Sequence, residues 1–349
     1  MGNNTGMKNP VLLTGGAGYI GSHIAHLLHD AGYPVVVVDK LGNSRADLLP
    51  PGIPFYQRNV LDTAGLIKIM DAHGVTNVIH LAAYLSVEES VAQPLKYYRN
   101  NVDGTRSLLE ACLETGINKL IFSSTAAAYR SSEKPLQETD ALEPGSPYGH
   151  SKLMAEQLIR DTVAASPLKA VILRYFNVAG ADPQGRTGQQ GIQATHLISR
   201  ACQAAAGDRD KMTINGTDYD TPDGTCMRDY IHVSDLAHAH RVVLEQDFIA
   251  PVKTFNCGYG SGFSVAQVVS RVKAVTGVDF PVDIAPRRAG DLAQTVADTH
   301  ALLGETSWRP KYDDLDTMIK TAWEWYQRER ALVKEETASA PLPVKAAAQ

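Results

Sequence analysis

The chain has 349 residues, of which 44% are apolar, and its formal net charge is −5. A chain of this length can bury a sizeable core, and its acidic balance argues against a nucleic-acid-binding surface or a polybasic membrane-binding surface. Its four cysteines lack the spacing of a metal site or a redox pair, and no apolar run approaches the ~18 residues of a membrane span. We therefore expect a reduced, cytoplasmic protein that binds no metal, nucleic acid or membrane.

The first half of the chain alternates short apolar strands with helical stretches. Strands are predicted at 10–14, 35–38, 53–57, 78–82, 120–124 and 170–175. Strands separated by helices indicate a parallel sheet with both faces covered. We therefore predict an α/β protein in which residues 8–178 form a Rossmann-type doubly wound parallel sheet, with ligands bound outside the carboxyl ends of its strands.

The pattern loosens after residue 178. Residues 180–191 and 216–225 have the composition of loops, and helices are predicted at 193–206, 233–246, 264–276 and 315–330. We interpret residues 179–330 as a smaller C-terminal α/β lobe that binds substrate, with segments near 230–257 packing back on the first domain. The tail, 331–349, lacks apolar periodicity and is predicted to be disordered.

A glycine-rich turn links the first predicted strand to the first predicted helix. Gly15, Gly18 and Gly21 are spaced so that the backbone can approach a pyrophosphate at the helix N-terminus. Asp39 ends the second strand, where a carboxylate can bind the adenosine ribose hydroxyls and repel a 2′-phosphate. The turn therefore predicts NAD as the cofactor, although Lys40 and Arg45 lie close by in the sequence and leave NADP open.

A second motif carries candidate acid–base chemistry. Tyr148 and Lys152 lie four residues apart at the start of a predicted helix, so they share a face. A nearby ammonium favours the phenolate, which would make Tyr148 a general acid or base near neutral pH. Thr125 ends the fifth strand and could share a hydrogen bond with that phenol. The Tyr-Lys spacing is also common by chance, and a Ser/Thr run at a strand end is also ordinary turn chemistry.

These motifs resemble the extended short-chain dehydrogenase/reductase family, and within it the nucleotide-sugar 4-epimerases. The resemblance covers about residues 9–328 and rests on the glycine turn, on Ser146-Pro147-Tyr148 with Lys152, and on Asn100-Asn101-Val102-Asp103-Gly104-Thr105, Phe122-Ser123-Ser124, Arg174-Tyr175-Phe176-Asn177, Asp223-Gly224-Thr225 and Arg228-Asp229-Tyr230-Ile231-His232-Val233. It implies an NAD-dependent 4-epimerase of UDP-sugars, with UDP-glucose and UDP-galactose as the expected pair. It also implies a homodimer, formed through helices over 94–115 and 147–163.

The resemblance further implies roles for individual residues. Tyr148 would take the proton from the sugar 4-hydroxyl, Lys152 would bind the nicotinamide ribose and hold the tyrosine pKa down, and Thr125 would stand at the family's Ser/Thr position. A hydride would pass from sugar C4 to NAD and return to the opposite face after the 4-keto sugar has rotated. The implied cofactor contacts are Gly15, Gly18, Tyr19, Ile20, Gly21, Asp39, Asn43, Ser44, Asn59, Val60, Leu81, Ala82, Ala83, Leu85, Asn100, Ser123, Tyr148, Lys152 and Phe176. The implied substrate contacts are Thr125, Tyr148, Asn177, His196, Thr213, Asn215, Arg228, Arg288, Asp291 and Thr295.

Several positions depart from the family pattern. Asn59 stands where many relatives have Asp, Leu85 where some have Lys, Arg130 where Gly is usual, and Asn215 where an apolar or aromatic residue is expected. These departures leave the preference for base and sugar open. Thr295 is smaller than the Tyr that is associated with excluding N-acetylated sugars, so we expect room for an N-acetyl group in the pocket.

Of three other activities, one fits the same residues equally well, and two fit them less well. A 4-epimerase of UDP-GlcNAc, a UDP-pentose or a UDP-uronate would use the same catalytic residues, and Arg130 could meet a uronate carboxylate. A 4,6-dehydratase is disfavoured because Thr125 is followed by three alanines, which offer no acid or base. A non-catalytic NAD-binding regulator is disfavoured because Thr125, Tyr148 and Lys152 are all present.

Overall fold

The computed structural model of the protein describes residues 8–130, 132–190, 196–288 and 292–339. Its strands are β1 (Val11–Thr14), β2 (Val35–Asp39), β3 (Phe55–Gln57), β4 (Asn77–His80), β5 (Lys119–Thr125), β6 (Lys169–Tyr175), β7 (Asn177–Ala179), β8 (Met212–Asn215), β9 (Met227–His232), β10 (Val252–Cys257), β11 (Gly262–Ser264), β12 (Val282–Ala285) and β13 (Gln294–Thr295). Its helices are α1 (Tyr19–Asp30), α2 (Thr63–His73), α3 (Val87–Ala92), α4 (Pro94–Tyr97), α5 (Gly104–Glu114), α6 (Pro147–Ala164), α7 (Leu197–Ala205), α8 (Val233–Glu245), α9 (Val265–Thr276), α10 (His300–Glu305) and α11 (Leu315–Ser339). Short 3₁₀ turns lie at Ala46–Leu48 and Ala126–Ala128, and a π-helical segment spans Tyr98–Asp103.

A seven-stranded sheet forms the larger part of the molecule. Its strands run in the order β10-β6-β5-β4-β1-β2-β3, and all neighbours are parallel. This sheet confirms the predicted α/β class and the doubly wound parallel arrangement. Strand β10 comes from late in the chain and pairs with β6.

Both faces of the large sheet are covered by helices. Successive side chains of a strand point to opposite faces, so a strand that is apolar throughout needs a layer on each side. Leu13 and Val37 belong to the core under α1 and α8. Leu12 and Val36 belong to the core under α2, α5 and α6.

A smaller group of strands and helices follows β6. Strand β9 is flanked by β11, which is antiparallel to it, and by β7 and β13, which are parallel to it. Strands β8 and β12 form a separate parallel pair. Helices α7, α9 and α11 share a third core that includes Val268, Met318 and Ile319. These strands are short, and the sequence analysis predicted no strand from β7 to β13; for β10 it expected only that the segment near 230–257 packs back on the first domain.

Two helix boundaries differ from the sequence prediction. The last helix was expected to end at 330 and to be followed by a disordered tail, but α11 continues to Ser339. Residues 331–339 are rich in Ala, Lys and Glu, which favour helix even without an apolar stripe. The helix predicted at 193–206 begins at Leu197 and ends at Ala205, because His196 has extended backbone angles and stands at the N-cap position; residues 193–195 of that prediction lie outside the described residues. Within the described ranges, no helix combines the length and apolarity needed to cross a bilayer.

Candidate active site

The turn between β1 and α1 forms a cradle of backbone atoms. Gly15 has a φ of +71°, and a Cβ at this position would lie 2.6 Å from the backbone nitrogen of Ala82. A Cβ on Gly21 would overlap the carbonyl oxygen of Gly15. Helix α1 begins at Tyr19 with neither a side-chain cap nor an acidic residue in its first turn. The free N–H groups and the helix dipole therefore fit the pyrophosphate of a dinucleotide.

Asp39 closes one side of this cradle at the end of β2. Its Oδ2 accepts a hydrogen bond from the backbone N–H of Ala17 at 3.2 Å. Its Oδ1 accepts from the Leu41 N–H at 2.9 Å and from the Ser44 hydroxyl at 2.7 Å. These bonds fix the carboxylate beside the glycine turn, where it can meet ribose hydroxyls. Asn43, in the same loop, is exposed.

The two cations near Asp39 in the sequence are paired with other groups. The Lys40 ammonium donates to the Asn100 side chain at 3.0 Å and lies 3.8 Å from the centre of the Tyr84 ring. Arg45 forms ion pairs with Asp47 and Glu329. The cradle therefore presents a carboxylate rather than a cationic site for a 2′-phosphate, which favours NAD over NADP.

The remaining predicted cofactor contacts are spread along the strand ends. Leu81, Ala82 and Ala83 follow β4 and are half-buried, whereas Leu85 is 59% exposed. Asn59 is exposed and accepts from the Leu61 N–H at 3.0 Å, and Val60 next to it is buried. Tyr19 and Ile20 lie in the first turn of α1, and Asn100 lies buried in the π-helical segment. Such segments are frequent at functional sites, where they redirect side chains.

Phe176 directly follows β6, and its ring packs in a small cluster with Tyr129, Leu136 and Ala297. Tyr175, the last residue of β6, is buried, and its hydroxyl hydrogen bonds to His240 on α8 at 2.5 Å. The contact of Phe176 with the cofactor stays a prediction.

Tyr148 and Lys152 are both buried on the first turns of α6. Pro147 occupies the first helical position, and the Ser146 hydroxyl caps the helix by accepting from the Gly149 N–H at 3.2 Å. The ammonium of Lys152 donates to the Ser123 carbonyl at 2.6 Å. Burial lowers the pKa of Lys152 to about 7, and Glu156 opposes that shift.

Thr125 contacts the phenol of Tyr148, as the strand-end position predicted. Burial raises the pKa of Tyr148, and its hydrogen bond with Thr125 lowers that pKa. The sequence analysis expected Lys152 to lower it, but the Lys152 ammonium is directed to the Ser123 carbonyl. In this structure the opposing influence on the Tyr148 pKa therefore comes from Thr125. The three predicted catalytic residues lie together at the carboxyl end of β5.

Several predicted substrate contacts lie on the strands around β9. The Asn177 amide donates to the Asp229 carbonyl at 3.0 Å, and Thr295 is in register with Arg228 on the neighbouring strand. Arg228 donates to the carbonyl oxygens of Met227 and Leu292, each at 2.8 Å. These contacts hold the Arg228 guanidinium on carbonyl oxygens of β9 and of the segment before β13.

The buried carboxylate of Asp229 organises the loops next to these strands. It accepts from the backbone N–H groups of Tyr259, Gly260 and Ala297 at 2.9–3.1 Å. Burial raises the pKa of Asp229 to about 6 in spite of these three bonds. Asp229 therefore has a structural role within the Arg-Asp-Tyr motif.

The other predicted substrate contacts come from three separate segments. His196 precedes α7, and its Nδ1 lies 2.5 Å from the Gln189 amide nitrogen. Thr213 and Asn215 lie on β8, and Arg288 is exposed just after β12. Asp291 lies outside the described residues. Among the described residues, His196, Thr213, Asn215 and Arg288 therefore lie on segments other than β5 and α6, which carry the predicted catalytic residues.

Arg200, one helical turn after His196, is a residue that the sequence analysis missed. Burial is the main cause that lowers the pKa of Arg200, and repulsion from Arg209 and Arg288 lowers it further. Its Nε is buried, with no hydrogen-bond partner among the described residues. The i to i+4 spacing from His196 was the available signal.

The contacts of Arg130 do not indicate a role in substrate binding. Its guanidinium forms an ion pair with Glu143 at 3.2 Å, and the Arg130 side chain is 67% exposed. The structure therefore gives no support to the idea that Arg130 meets a uronate carboxylate.

Comparison with known proteins identifies close relatives over nearly the whole chain. Residues 11–258 match the model of the NAD dependent epimerase/dehydratase family. A protein of Azospirillum brasilense named UDP-glucose 4-epimerase is 49% identical over 327 residues, which cover 93% of this chain and 94% of that protein. The crystal structure of UDP-glucose 4-epimerase from Brucella ovis in complex with NAD is 44% identical, has a TM-score of 0.86, and covers 91% of this chain and 98% of its own. The structure of the UDP-Glc/GlcNAc 4-epimerase from Campylobacter jejuni is also 44% identical, with a TM-score of 0.79, and covers 92% of this chain and 99% of its own.

Proposed function

The chain belongs to the NAD dependent epimerase/dehydratase family, and we propose that it is an NAD-dependent isomerase that interconverts UDP-glucose and UDP-galactose at sugar C4. The observation that carries the proposal is the meeting of Thr125, Tyr148 and Lys152 at the end of β5, in the same sheet as the glycine cradle and Asp39. Residues 8–178 would bind NAD, with β10 completing their sheet, and residues 179–330 would supply most contacts to the UDP-sugar.

Tyr148 is the acid–base group in this proposal. Its phenolate would take the proton from the 4-hydroxyl, and the phenol would return a proton to the 4-keto sugar after that sugar has rotated in its pocket. Thr125 hydrogen bonds to the phenol and can orient the substrate hydroxyl. NAD, when bound, supplies the acceptor that takes the C4 hydride and gives it back to the opposite face. Because the same proton and hydride return, the reaction has no net oxidation.

Lys152 has a separate task from Tyr148. Its ammonium is anchored on the Ser123 carbonyl and would bind the nicotinamide ribose. A pKa of about 7 leaves this group partly protonated at neutral pH. The protonated form is the one that donates hydrogen bonds, so activity should decline where Lys152 loses its proton.

The UDP moiety would be held more firmly than the hexose, because the 4-keto sugar must turn over. Arg228 and Arg288 suit a diphosphate, since a guanidinium offers several donors to phosphate oxygens. Asn177, His196 and Asp291 are the further proposed contacts on this side. Thr213 and Asn215, on β8, are proposed to lie near the base.

A homodimer and a cytoplasmic location complete the proposal. Leu95, Leu113 and Met154 are apolar side chains that are 79%, 47% and 48% exposed, and they lie on α4, α5 and α6. A second copy packed over 94–115 and 147–163 would cover them. The four cysteines are all buried and form no disulfide within the described residues, which suits a reducing compartment.

The direct test is conversion of UDP-galactose to UDP-glucose by the purified protein without added NAD. Conversion would demonstrate both the reaction and a retained, recycled cofactor. Tyr148→Phe should lower kcat by about 10²–10⁴-fold, because the acid–base group is lost, while NAD stays bound. Tyr56→Phe is the matched control, since the Tyr56 hydroxyl on β3 hydrogen bonds to His73 on α2, away from β5. Equal activity of the two variants would rule out the role given to Tyr148.

A second candidate activity is 4-epimerisation of UDP-GlcNAc. Thr295 is small and lies in register with Arg228, a proposed substrate contact. The Campylobacter jejuni relative acts on both Glc and GlcNAc by its name. UDP-GlcNAc is therefore the second sugar nucleotide to test, ahead of a UDP-pentose or UDP-uronate. Failure with all of them, with NAD added, would favour a non-catalytic NAD-binding regulator.

A further inference from the structure

Three consecutive residues of β5 hold three successive turns of α6. Thr125 hydrogen bonds to Tyr148. The Ser123 carbonyl accepts from Lys152 at 2.6 Å. The Ser124 hydroxyl donates to Glu156 at 2.6 Å. Tyr148, Lys152 and Glu156 are spaced at i, i+4 and i+8, so they form one stripe along the buried side of the helix.

The third of these contacts is fixed from the other side by a buried ion pair. The Arg174 guanidinium binds the Glu156 carboxylate through two bonds, Nε to Oε1 at 2.9 Å and Nη2 to Oε2 at 2.7 Å, and both side chains are 1% exposed. Arg174 also donates to the Tyr129 hydroxyl at 2.9 Å, and Tyr129 donates to Asn256 on β10 at 2.6 Å. Such a bidentate pair has one geometry, so it resists sliding or rotation of α6 against the sheet.

Glu156 is also the anion that raises the pKa of Lys152. The titratable groups around Lys152 and Tyr148 are His80 on β4, Tyr175 on β6, and Tyr148 and Glu156 on α6. The π-helical segment contributes an uncharged contact, from the Asn101 amide to the Ser151 hydroxyl. Burial keeps His80 and Tyr175 neutral at pH 7. Glu156 is therefore the group that offsets the cost of burying the Lys152 ammonium.

We propose that Glu156, clamped by Arg174 and joined to β5 through Ser124, is a positioning residue that sets the register of α6 and keeps Lys152 charged. This inference rests on the proposed function for its kinetic consequences. Its structural part does not depend on which sugar is bound: Glu156, which is not one of the reacting groups, holds Tyr148 and Lys152 at the end of β5.

The test compares Glu156→Gln with wild type in UDP-galactose turnover over a range of pH. The amide keeps the shape but removes the charge. We expect kcat to fall by about 10–100-fold, as for misplaced catalytic groups, with KM changed less than about twofold. The alkaline limb of kcat should move to lower pH by about one unit, because Lys152 loses its nearest anion. Arg160→Gln is the matched control: Arg160 lies 3.6 Å from Glu156, but its guanidinium donates to Thr254 on β10 at 2.7 Å and makes no hydrogen bond to β5 among the described residues, so both kcat and the limb should stay in place.

Two further measurements make the outcome decisive. Ser124→Ala breaks the link to β5 and leaves the Glu156–Arg174 pair intact, so kcat should fall while the alkaline limb stays in place. This variant decides the question if Glu156→Gln does not fold.

In protein labelled with ¹³Cε-lysine, the Lys152 signal, assigned by its absence from Lys152→Arg, should titrate at lower pH in Glu156→Gln. This signal is informative even if wild type fails to convert UDP-galactose, which would count against the proposed function alone. A folded Glu156→Gln protein with an unmoved Lys152 midpoint, or a Ser124→Ala protein with kcat within twofold of wild type, would overturn the inference.

Discussion

Replacing each glycine of the cradle by alanine should separate the needs of the fold from the needs of the cofactor. In Gly21→Ala the new Cβ would overlap Gly15 O and lie 2.6 Å from Gly16 Cα, and these backbone atoms cannot move aside cheaply. Overpacking costs about 1–3 kcal/mol, and we take the upper end because the added Cβ meets backbone; the better helix propensity of Ala returns about 1 kcal/mol, so we expect a net loss of about 2 kcal/mol. With about 2.1 cal/mol/K of unfolding entropy per residue, that is a fall in Tm of about 3 °C for a chain of this size.

Gly18→Ala should behave in the opposite way. Gly18 has a φ of −75°, which alanine adopts without strain, and its added Cβ would meet only the Gly15 carbonyl, at 3.3 Å, within 4 Å. The free energy of unfolding should therefore change by no more than about 0.5 kcal/mol. The methyl group would instead occupy the space that a pyrophosphate needs at the start of α1, so NAD should be lost.

The assay combines thermal unfolding with NAD content. Because bound NAD itself stabilises the folded chain, unfolding is compared on samples stripped of cofactor, and NAD is quantified separately in the protein as purified. We expect a lowered Tm for Gly21→Ala, and an unchanged Tm with little bound NAD for Gly18→Ala. This expectation would be refuted if Gly18→Ala retained NAD like wild type, or if it were the less stable of the two.

Two further predictions concern Lys152 and Thr295. Between pH 7 and 9 the free energy of unfolding of the cofactor-free chain should rise with pH by up to about 1.4 kcal/mol per unit. The reason is that buried Lys152, with a pKa of about 7, releases its proton in this range, whereas the unfolded chain still binds it. Lys152→Met should lose this contribution, and an unchanged slope in denaturant titrations of the variant would contradict the cause. Thr295→Tyr should reduce turnover of UDP-GlcNAc while sparing UDP-galactose, measured by nucleotide-sugar separation, and equal rates of wild type and variant on UDP-GlcNAc would contradict the expected room for an N-acetyl group.

Local signals in the sequence were enough to predict the central sheet except for its edge strand β10, which comes from late in the chain. The apolar runs that became β1, β2, β4, β5 and β6 predicted a sheet covered on both faces, and the structure has that sheet. The short strands of the smaller lobe were missed. Strands of two to four residues such as β11 and β13 carry too few side chains to show a period, and their pairing with β9 depends on distant parts of the chain.

The sequence by itself determined the pieces of the site whose partners are close along the chain. The glycine spacing, the carboxylate at the end of β2 and the i to i+4 pair of Tyr148 and Lys152 each follow from one local element. Only the tertiary structure decided that the Ser124 hydroxyl meets Glu156, that the Lys152 ammonium binds the Ser123 carbonyl, and that Glu156 meets Arg174. Those contacts join residues from different strands and helices, and a one-residue change in register would exchange the side chains that meet, so no local pattern can specify them.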